Sequence, residues 1–211
     1  MATRWTPLVL RGLFCGATRF NDIHASVPRM SSALLVRRLG ELERRRVIER
    51  RRAETGKGWE YLLTDAGREL FPVLEMMGMW SQRWAKREIV SDRNRDPGLL
   101  MWELRRIALN SGRMAHRRRV VQFELDGVLP EQRYYWLVFE PQDVDVCLRD
   151  PGFEIDLWIR SSYQTLIEVW MGHRPLEGAL RDRSLRLDGK SREIKAFREW
   201  FTLSPFAAAA G

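Results

Sequence analysis

The sequence is poor in the residues from which metal sites, disulfide scaffolds and acid–base machinery are built. Its 211 residues hold two cysteines, Cys15 and Cys147, too few and too far apart for a disulfide framework or a CxxC metal knuckle. Each reads as a small core residue. The three histidines, His24, His116 and His173, are scattered, and no HExxH, GxSxG or glycine-rich phosphate loop occurs. Asp143 and Asp145 are spaced like an acid–base pair on one strand face, yet an outward-facing pair of this kind serves solubility. No catalytic residue, metal ligand or cofactor is therefore expected, and the chain does not read as an enzyme. Long apolar runs are missing too. YYWLVF at 134–139 falls far short of the ~18 residues that cross a bilayer. Met1 is followed by no apolar signal region, so the expectation is a soluble, cytoplasmic protein without a membrane partner.

Lysine is also rare. Of 36 basic residues only Lys57, Lys86, Lys190 and Lys195 are lysines, so the positive charge is almost all guanidinium, the group that forks onto phosphates and guanine edges. That charge is placed unevenly. Residues 1–95 carry 19 Arg and Lys against 11 Asp and Glu, whereas residues 96–211 carry 17 of each. A basic half joined to a neutral half suggests a polyanion-binding module attached to one with a different task. The overall composition, 45% hydrophobic and 30% charged, is that of a folded globular chain.

Periodicity divides the chain further. Leu8, Val9, Leu10, Leu13 and Phe14 predict a short helix closed by Gly16. Phe20, Ile23 and Val27 predict a second, stopped by Pro28. Ser31 is the expected N-cap of a third, with Leu34, Leu35, Leu39 and Leu42 facing a core. Two short helices joined by a three-residue turn have helix-turn-helix proportions. The runs 47–52 and 59–64 flank a glycine-containing tip and predict a β-hairpin, in effect a wing. From Thr64–Asp65 one long helix is expected to about Ile89, with Ala66, Leu70, Val73, Leu74, Met77, Trp80 and Trp84 on one stripe that wants a partner helix. Residues 91–98 (SDRNRDPG) are the expected linker between domains at 1–90 and 99–205. Beyond a helix at 99–110, alternation predicts strands around Val121–Leu125, 134–139, Val144–Leu148 and Ile155–Ile159. A helix at Tyr163–Trp170, a short strand at 185–187 and a last helix through Ile194, Phe197 and Phe201 follow. Strands in a run followed by helices indicate an α+β layer.

In order, the sequence holds W-T-x-L-x-L from Trp5, R-F-N-D-I at 19–23, L-x-x-R-L-x-E-L-E at 35–43 and Y-L-L-T-x-x-G-x-x-L-x-P-V-L at 61–74, within a stretch of about residues 4–84. This series resembles the winged-helix domain of the HxlR family of bacterial transcription regulators. The resemblance implies a DNA-binding homodimer. It also implies one more helix ahead of the W-T motif, often with a cysteine near its start. This sequence opens almost at the motif, and Cys15, on an inner helix, does not match that position. Residues 113–203, with anchors Trp170, Gly172, Ala179 and Gly189, are similar in order to the sterol-carrier-protein fold, which implies an apolar tunnel for lipid-like ligands and no catalytic side chains. The fold class is thus α+β: an N-terminal winged helix-turn-helix followed by a sterol-carrier-like layer.

In a helix-turn-helix the second helix enters the major groove and the wing meets phosphate or minor groove. Arg37 is then the base-reading candidate, with Ser31 and Ser32 at the helix start and Arg50, Arg51, Arg52 and Lys57 on the wing for double-stranded DNA. Arg44, Arg45 and Arg46, at the far end, suit the helix dipole instead. Trp136, Trp158, Tyr163, Ile167, Trp170 and Phe201 are the candidate lining of a small hydrophobic ligand site, although a filled core needs the same residue types. The alternative reading is a lipid-carrier or partner-docking protein whose basic half binds an anionic surface. Against it, the charge belongs to a winged-helix pattern and not to a Lys-rich amphipathic helix.

Overall fold

The computed structural model describes residues 5–53, 56, 58–85, 88, 95–111 and 117–207. The chain divides into two compact units, Met1–Gly78 and Met79–Gly211. The first runs α1 (Thr6–Phe14), α2 (Phe20–Ala25), α3 (Ser32–Arg44), β1 (Ile48–Arg52), β2 (Trp59–Leu63) and α4 (Asp65–Arg68), and α5 (Phe71–Trp84) starts in this unit and ends in the second. Its core is built from Val9, Leu10 and Leu13 of α1, Ile23 of α2, Val27 and Met30 of the turn, and Leu35, Leu39 and Leu42 of α3. These repeat at three and four residues, which is why the three helices form around one another.

The third helix is fixed at both ends. At its start the Ser31 hydroxyl accepts from the Leu34 N–H at 3.3 Å. At its end Val47 N–H donates to Leu42 O (3.0 Å) and Arg46 N–H to Glu43 O (2.8 Å), with Arg46 at φ 57°, a Schellman close that places arginine where glycine is customary. Thr64 then ties the hairpin back to that end. Its hydroxyl donates to Arg46 O (2.7 Å) and accepts from Gly67 N–H (3.1 Å), which starts α4.

The helix expected from residue 65 to about Ile89 is, over its described residues to Trp84, two helices broken at Glu69–Leu70; residues 86, 87 and 89 of that expectation lie outside the described residues. Proline supplies the reason. Pro72 has no N–H to donate to the Arg68 carbonyl, so the ladder cannot run through that position, and the proline falls instead in the first turn of α5, where its missing donor is not needed.

In the second unit α6 (Pro97–Asn110) begins at the proline assigned to the linker. Asp96 caps it by accepting from Leu99 N–H at 3.1 Å, and Pro97 is at a first-turn position where its missing donor costs nothing. Then come β3 (Arg119–Asp126), β4 (Tyr134–Phe139), β5 (Val144–Cys147), β6 (Leu157–Ser162), α7 (Tyr163–Trp170), α8 (Leu176–Arg181), β7 (Leu185–Gly189) and α9 (Ser191–Trp200). Strand order is β5-β4-β3-β6-β7, antiparallel except for the parallel β3–β6 pair. This is a mixed α+β sheet. Ile155, expected in a strand, precedes β6. One sheet face, carrying Val121, Phe123, Leu125, Tyr135, Leu137, Leu157 and Ile159, packs with α6, α7 and α9 into the main core. The opposite face carries a small cluster of Val120, Trp136 and Val138, against which Cys147 and Ile155 pack. No described helix is long and apolar enough to cross a membrane.

Candidate nucleic-acid interface

The turn after α2 is closed by His24, whose ring Nε2 lies 2.8 Å from the Met30 carbonyl, so α3 leaves it with a defined angle. Leu35, Leu39 and Leu42 point inward, which leaves Ser31, Ser32, Ala33, Val36 and Arg37 on the outer face of the first two turns. Val36 is 59% exposed, a branched apolar side chain in a position suited to a thymine methyl. The Arg37 side chain is 76% exposed, and its Nε donates to Glu41 Oε1 at 3.1 Å. Arg38 pairs with the other oxygen of the same carboxylate. Although partial desolvation opposes it, the Arg37 hydrogen bond and the charges of Arg38, Arg37 and Arg44 hold Glu41 below the usual carboxylate range. Glu41 therefore parks Arg37 in the free protein. Such an exposed pair one helical turn apart is weak beside a bidentate contact to guanine, so the guanidinium is available for exchange.

The wing register pairs Arg52 with Trp59, Arg51 with Glu60 and Arg50 with Tyr61. Alternation puts Arg50 and Arg52 on one face and Arg51 on the other, where it lies 3.9 Å from Glu60. The three arginines thus do not form one patch. Arg50 and Arg52 both approach the Trp59 ring, at 4.1 and 4.5 Å from its centre. Lys57 lies outside the described residues. Trp59 and Glu41 were not singled out in the sequence. The signal for Trp59 was present, because a six-residue connection between Arg52 and Trp59 sets those two across from each other.

Along α5, Val73, Met76, Met77, Trp80 and Trp84 are all exposed, with Trp80 at 62% and Trp84 at 70%. Their spacing makes one apolar stripe down the helix. Only Gln82 of this helix is buried. Its Oε1 accepts from His173 Nε2 at 2.7 Å and its Nε2 lies 3.4 Å from Met171 Sδ, both just beyond α7.

The six aromatic and aliphatic residues predicted to line a ligand site are divided by the sheet. Tyr163, Ile167, Trp170 and Phe201 come together in the main core. Trp136 belongs to the cluster on the opposite face, and Trp158, half-buried, shares that face because Gln122 pairs with both. The sheet therefore keeps these two from lining the same space as the other four. The Trp170 indole N–H is buried without a hydrogen-bond acceptor among the described residues. Of two clefts in the second unit, one of about 210 Å³ is bordered by Ile107, Asn110 and Leu203, and one of about 460 Å³ by Leu180, Leu187, Ile194 and three arginines. Neither is lined by the predicted six. Asp143 bonds Arg105 at 2.9 Å and the Val144 N–H, so it is a structural partner and not half of a reactive pair. No cluster of three or more potential metal ligands occurs among the described residues.

A helix-turn-helix followed at once by a two-stranded antiparallel wing, with arginines on the outer face of both, defines a winged-helix DNA-binding protein. Residues 1–89 match the model of the HxlR-like helix-turn-helix family. An uncharacterized HTH-type transcriptional regulator of Bacillus subtilis strain 168, YvaP, is 38% identical over 85 residues, 40% of this chain and 79% of its own length. The HTH-type transcriptional regulator YodB of the same organism is 32% identical over 87 residues, 41% of this chain and 78% of its own. The chain belongs to the HxlR family of helix-turn-helix transcriptional regulators. Among solved structures, sterol carrier protein domain 2 of Helicoverpa armigera matches 68% of this chain and 91% of its own length, at 14% identity and a TM-score of 0.34.

Proposed function

We propose that this regulator binds operator DNA as a homodimer and that its second unit senses a small hydrophobic ligand. The observation that carries the dimer is the α5 stripe. Five large apolar side chains exposed in a row on one helix are costly to leave in water, and a second copy of the same helix buries them symmetrically. A recognition helix as short as α3 reads about one half-site, so dimerisation also supplies the second half of a pseudo-palindrome. In this reading Arg37 contacts a base edge, Ser31 and Ser32 lie along the backbone, and Arg50, Arg52 and Lys57 contact phosphate, while Arg51 on the reverse face of the wing stays with Glu60. The functional parts in this reading are 1–90 and 99–205; of the linker 91–98 between them, residues 91–94 lie outside the described residues and Asp96–Gly98 form the cap and first turn of α6.

The ligand reading rests on Tyr163, Ile167, Trp170 and Phe201, which share one core, and on the buried Trp170 N–H, a donor in apolar surroundings that a ligand oxygen would satisfy. Trp136 and Trp158, on the other face of the sheet, do not belong to this site. Coupling runs through Gln82, because a shift of α7 moves Met171 and His173 and so pulls on α5. A ligand regulates only if it binds the DNA-competent and incompetent states unequally, an effect typically worth ~1–3 kcal/mol, or about 5- to 150-fold in operator affinity. The test measures sedimentation and operator binding of the full chain with and without fatty acids, acyl-CoA and sterol-like compounds. A monomer at micromolar concentration that still binds its operator tightly removes the dimer. Ligand binding without change in operator affinity removes the sensor.

A further inference from the structure

Trp59 has no burial to explain it: it is 40% exposed at the tip end of the wing. What it touches is charge. Arg50 Cζ lies 4.1 Å and Arg52 Cζ 4.5 Å from its ring centre, and Arg50 is also 6.0 Å from the ring of Tyr61. No carboxylate pairs with Arg50 or Arg52 among the described residues, whereas Arg51 on the reverse face has Glu60. One indole thus gathers two like charges that repel each other and that no carboxylate among the described residues neutralises.

Stacking uses the flat face of a guanidinium and leaves its N–H edge free, the edge that donates in pairs to phosphate oxygens. It also removes rotamer freedom before any partner arrives, so less is lost on docking. We propose that Trp59 is a positioning residue for DNA binding, which holds Arg50 and Arg52 as one pre-ordered donor pair for the backbone phosphates of the duplex. This rests on the reading that the wing faces DNA. The tryptophan itself makes no DNA contact in the proposal.

The experiment compares full-length wild type, Trp59→Ala, Trp59→Phe, the Arg50→Ala/Arg52→Ala pair and the triple variant for binding to a labelled mixed-sequence duplex across a salt series. Trp59→Ala is expected to weaken binding about 5- to 30-fold, the worth of two exposed cation–π contacts, and Trp59→Phe to recover most of it. Because the charges remain, Trp59→Ala leaves the slope of log K against log salt nearly unchanged, while the arginine pair lowers it by about 2. In the arginine-free background Trp59→Ala adds no further loss. An equal loss in that background means the tryptophan only supports the hairpin, and no loss in the wild-type background means it positions nothing; either result overturns the proposal. Wild-type binding by the arginine pair shows instead that the wing reading has failed, and the proposal fails with it.

Discussion

Replacing glycine by alanine inside a helix ordinarily stabilises it by about 1 kcal/mol, and Gly67→Ala is expected to do the reverse. A Cβ at Gly67 would sit 2.1 Å from the Val47 carbonyl oxygen and 3.2 Å from Leu63 Cδ2. That carbonyl cannot retreat freely, since it accepts from the Thr64 N–H at 3.1 Å, and the Thr64 hydroxyl that donates to the neighbouring Arg46 carbonyl holds the same stretch of backbone. Relief needs roughly an ångström of movement between α4 and the strand entry, which costs the ~1–3 kcal/mol of an overpacked site plus ~1 kcal/mol for each hydrogen bond loosened. The net is a destabilisation of about 3 kcal/mol. Gly40→Ala is the control: its Cβ would meet only the tip of Arg44 at 3.6 Å, an ordinary contact, and should gain the usual ~1 kcal/mol. Urea unfolding, with hydrogen exchange of the β1 and β2 amides to assign the loss to the first unit, measures both. Equal or greater stability of Gly67→Ala would refute the reasoning, because it would mean that α4 is not seated on the Val47 carbonyl.

Arg37→Ala should cost ~1–3 kcal/mol at one operator base pair and little on random DNA; a uniform loss would make Arg37 a phosphate contact. Trp80→Glu with Trp84→Glu should shift sedimentation to monomer, at ~2 kcal/mol or more per central aromatic, and abolish the dependence of the melting temperature on protein concentration that a dimer shows, while the monomer keeps its fold because both side chains are exposed in the single chain. Burial, with Asp96 and Tyr163 nearby, pushes the Tyr135 hydroxyl up to about 12 from its ordinary value of 10. The folded state therefore holds this proton more tightly than the unfolded chain. Its stabilising share is intact below pH 10 and is lost as pH rises toward 12, and Tyr135→Phe should flatten that loss in alkaline melts monitored by circular dichroism. Arg46→Gly should raise stability by about 1 kcal/mol, since φ 57° penalises a side chain and spares glycine; an unchanged or lower urea midpoint would refute this.

The first unit was legible because its signals are local: Ser31 before an apolar period, Pro28 in the turn, glycines at the hairpin tip. Where a local signal was overridden by a longer pattern, the reading slipped. The apolar period from Ala66 to Trp84 continues across Pro72, but the backbone bonds do not. In the second unit the element order and α+β class were readable, whereas the sheet faces were less so. YYWLVF is apolar at every position, so alternation within it assigns no face. The face of Trp136 is decided by its pairing with Gln122 of another strand, and only register reveals that Trp136 and Trp158 stand on the same side, away from Tyr163 and Trp170. Glu41's hold on Arg37 was open to helical spacing alone. The Trp59 contacts needed the hairpin register as well.

The central strand of the second sheet pairs on one side with its immediate successor and on the other, in parallel, with a strand that begins after residue 156. The two pairings differ in how soon they can form. The β3–β4–β5 meander closes over short loops, whereas β6 must return across a long stretch of chain, and β7 can join only once β6 is in place. The winged-helix unit, whose hairpin and helix contacts are mostly between sequence neighbours, should reach its native state first, both in refolding and as the chain leaves the ribosome. During that interval the DNA-binding unit is complete while β6 and its side of β3 have yet to pair, so completion of the sheet is the step expected to limit the folding of the chain.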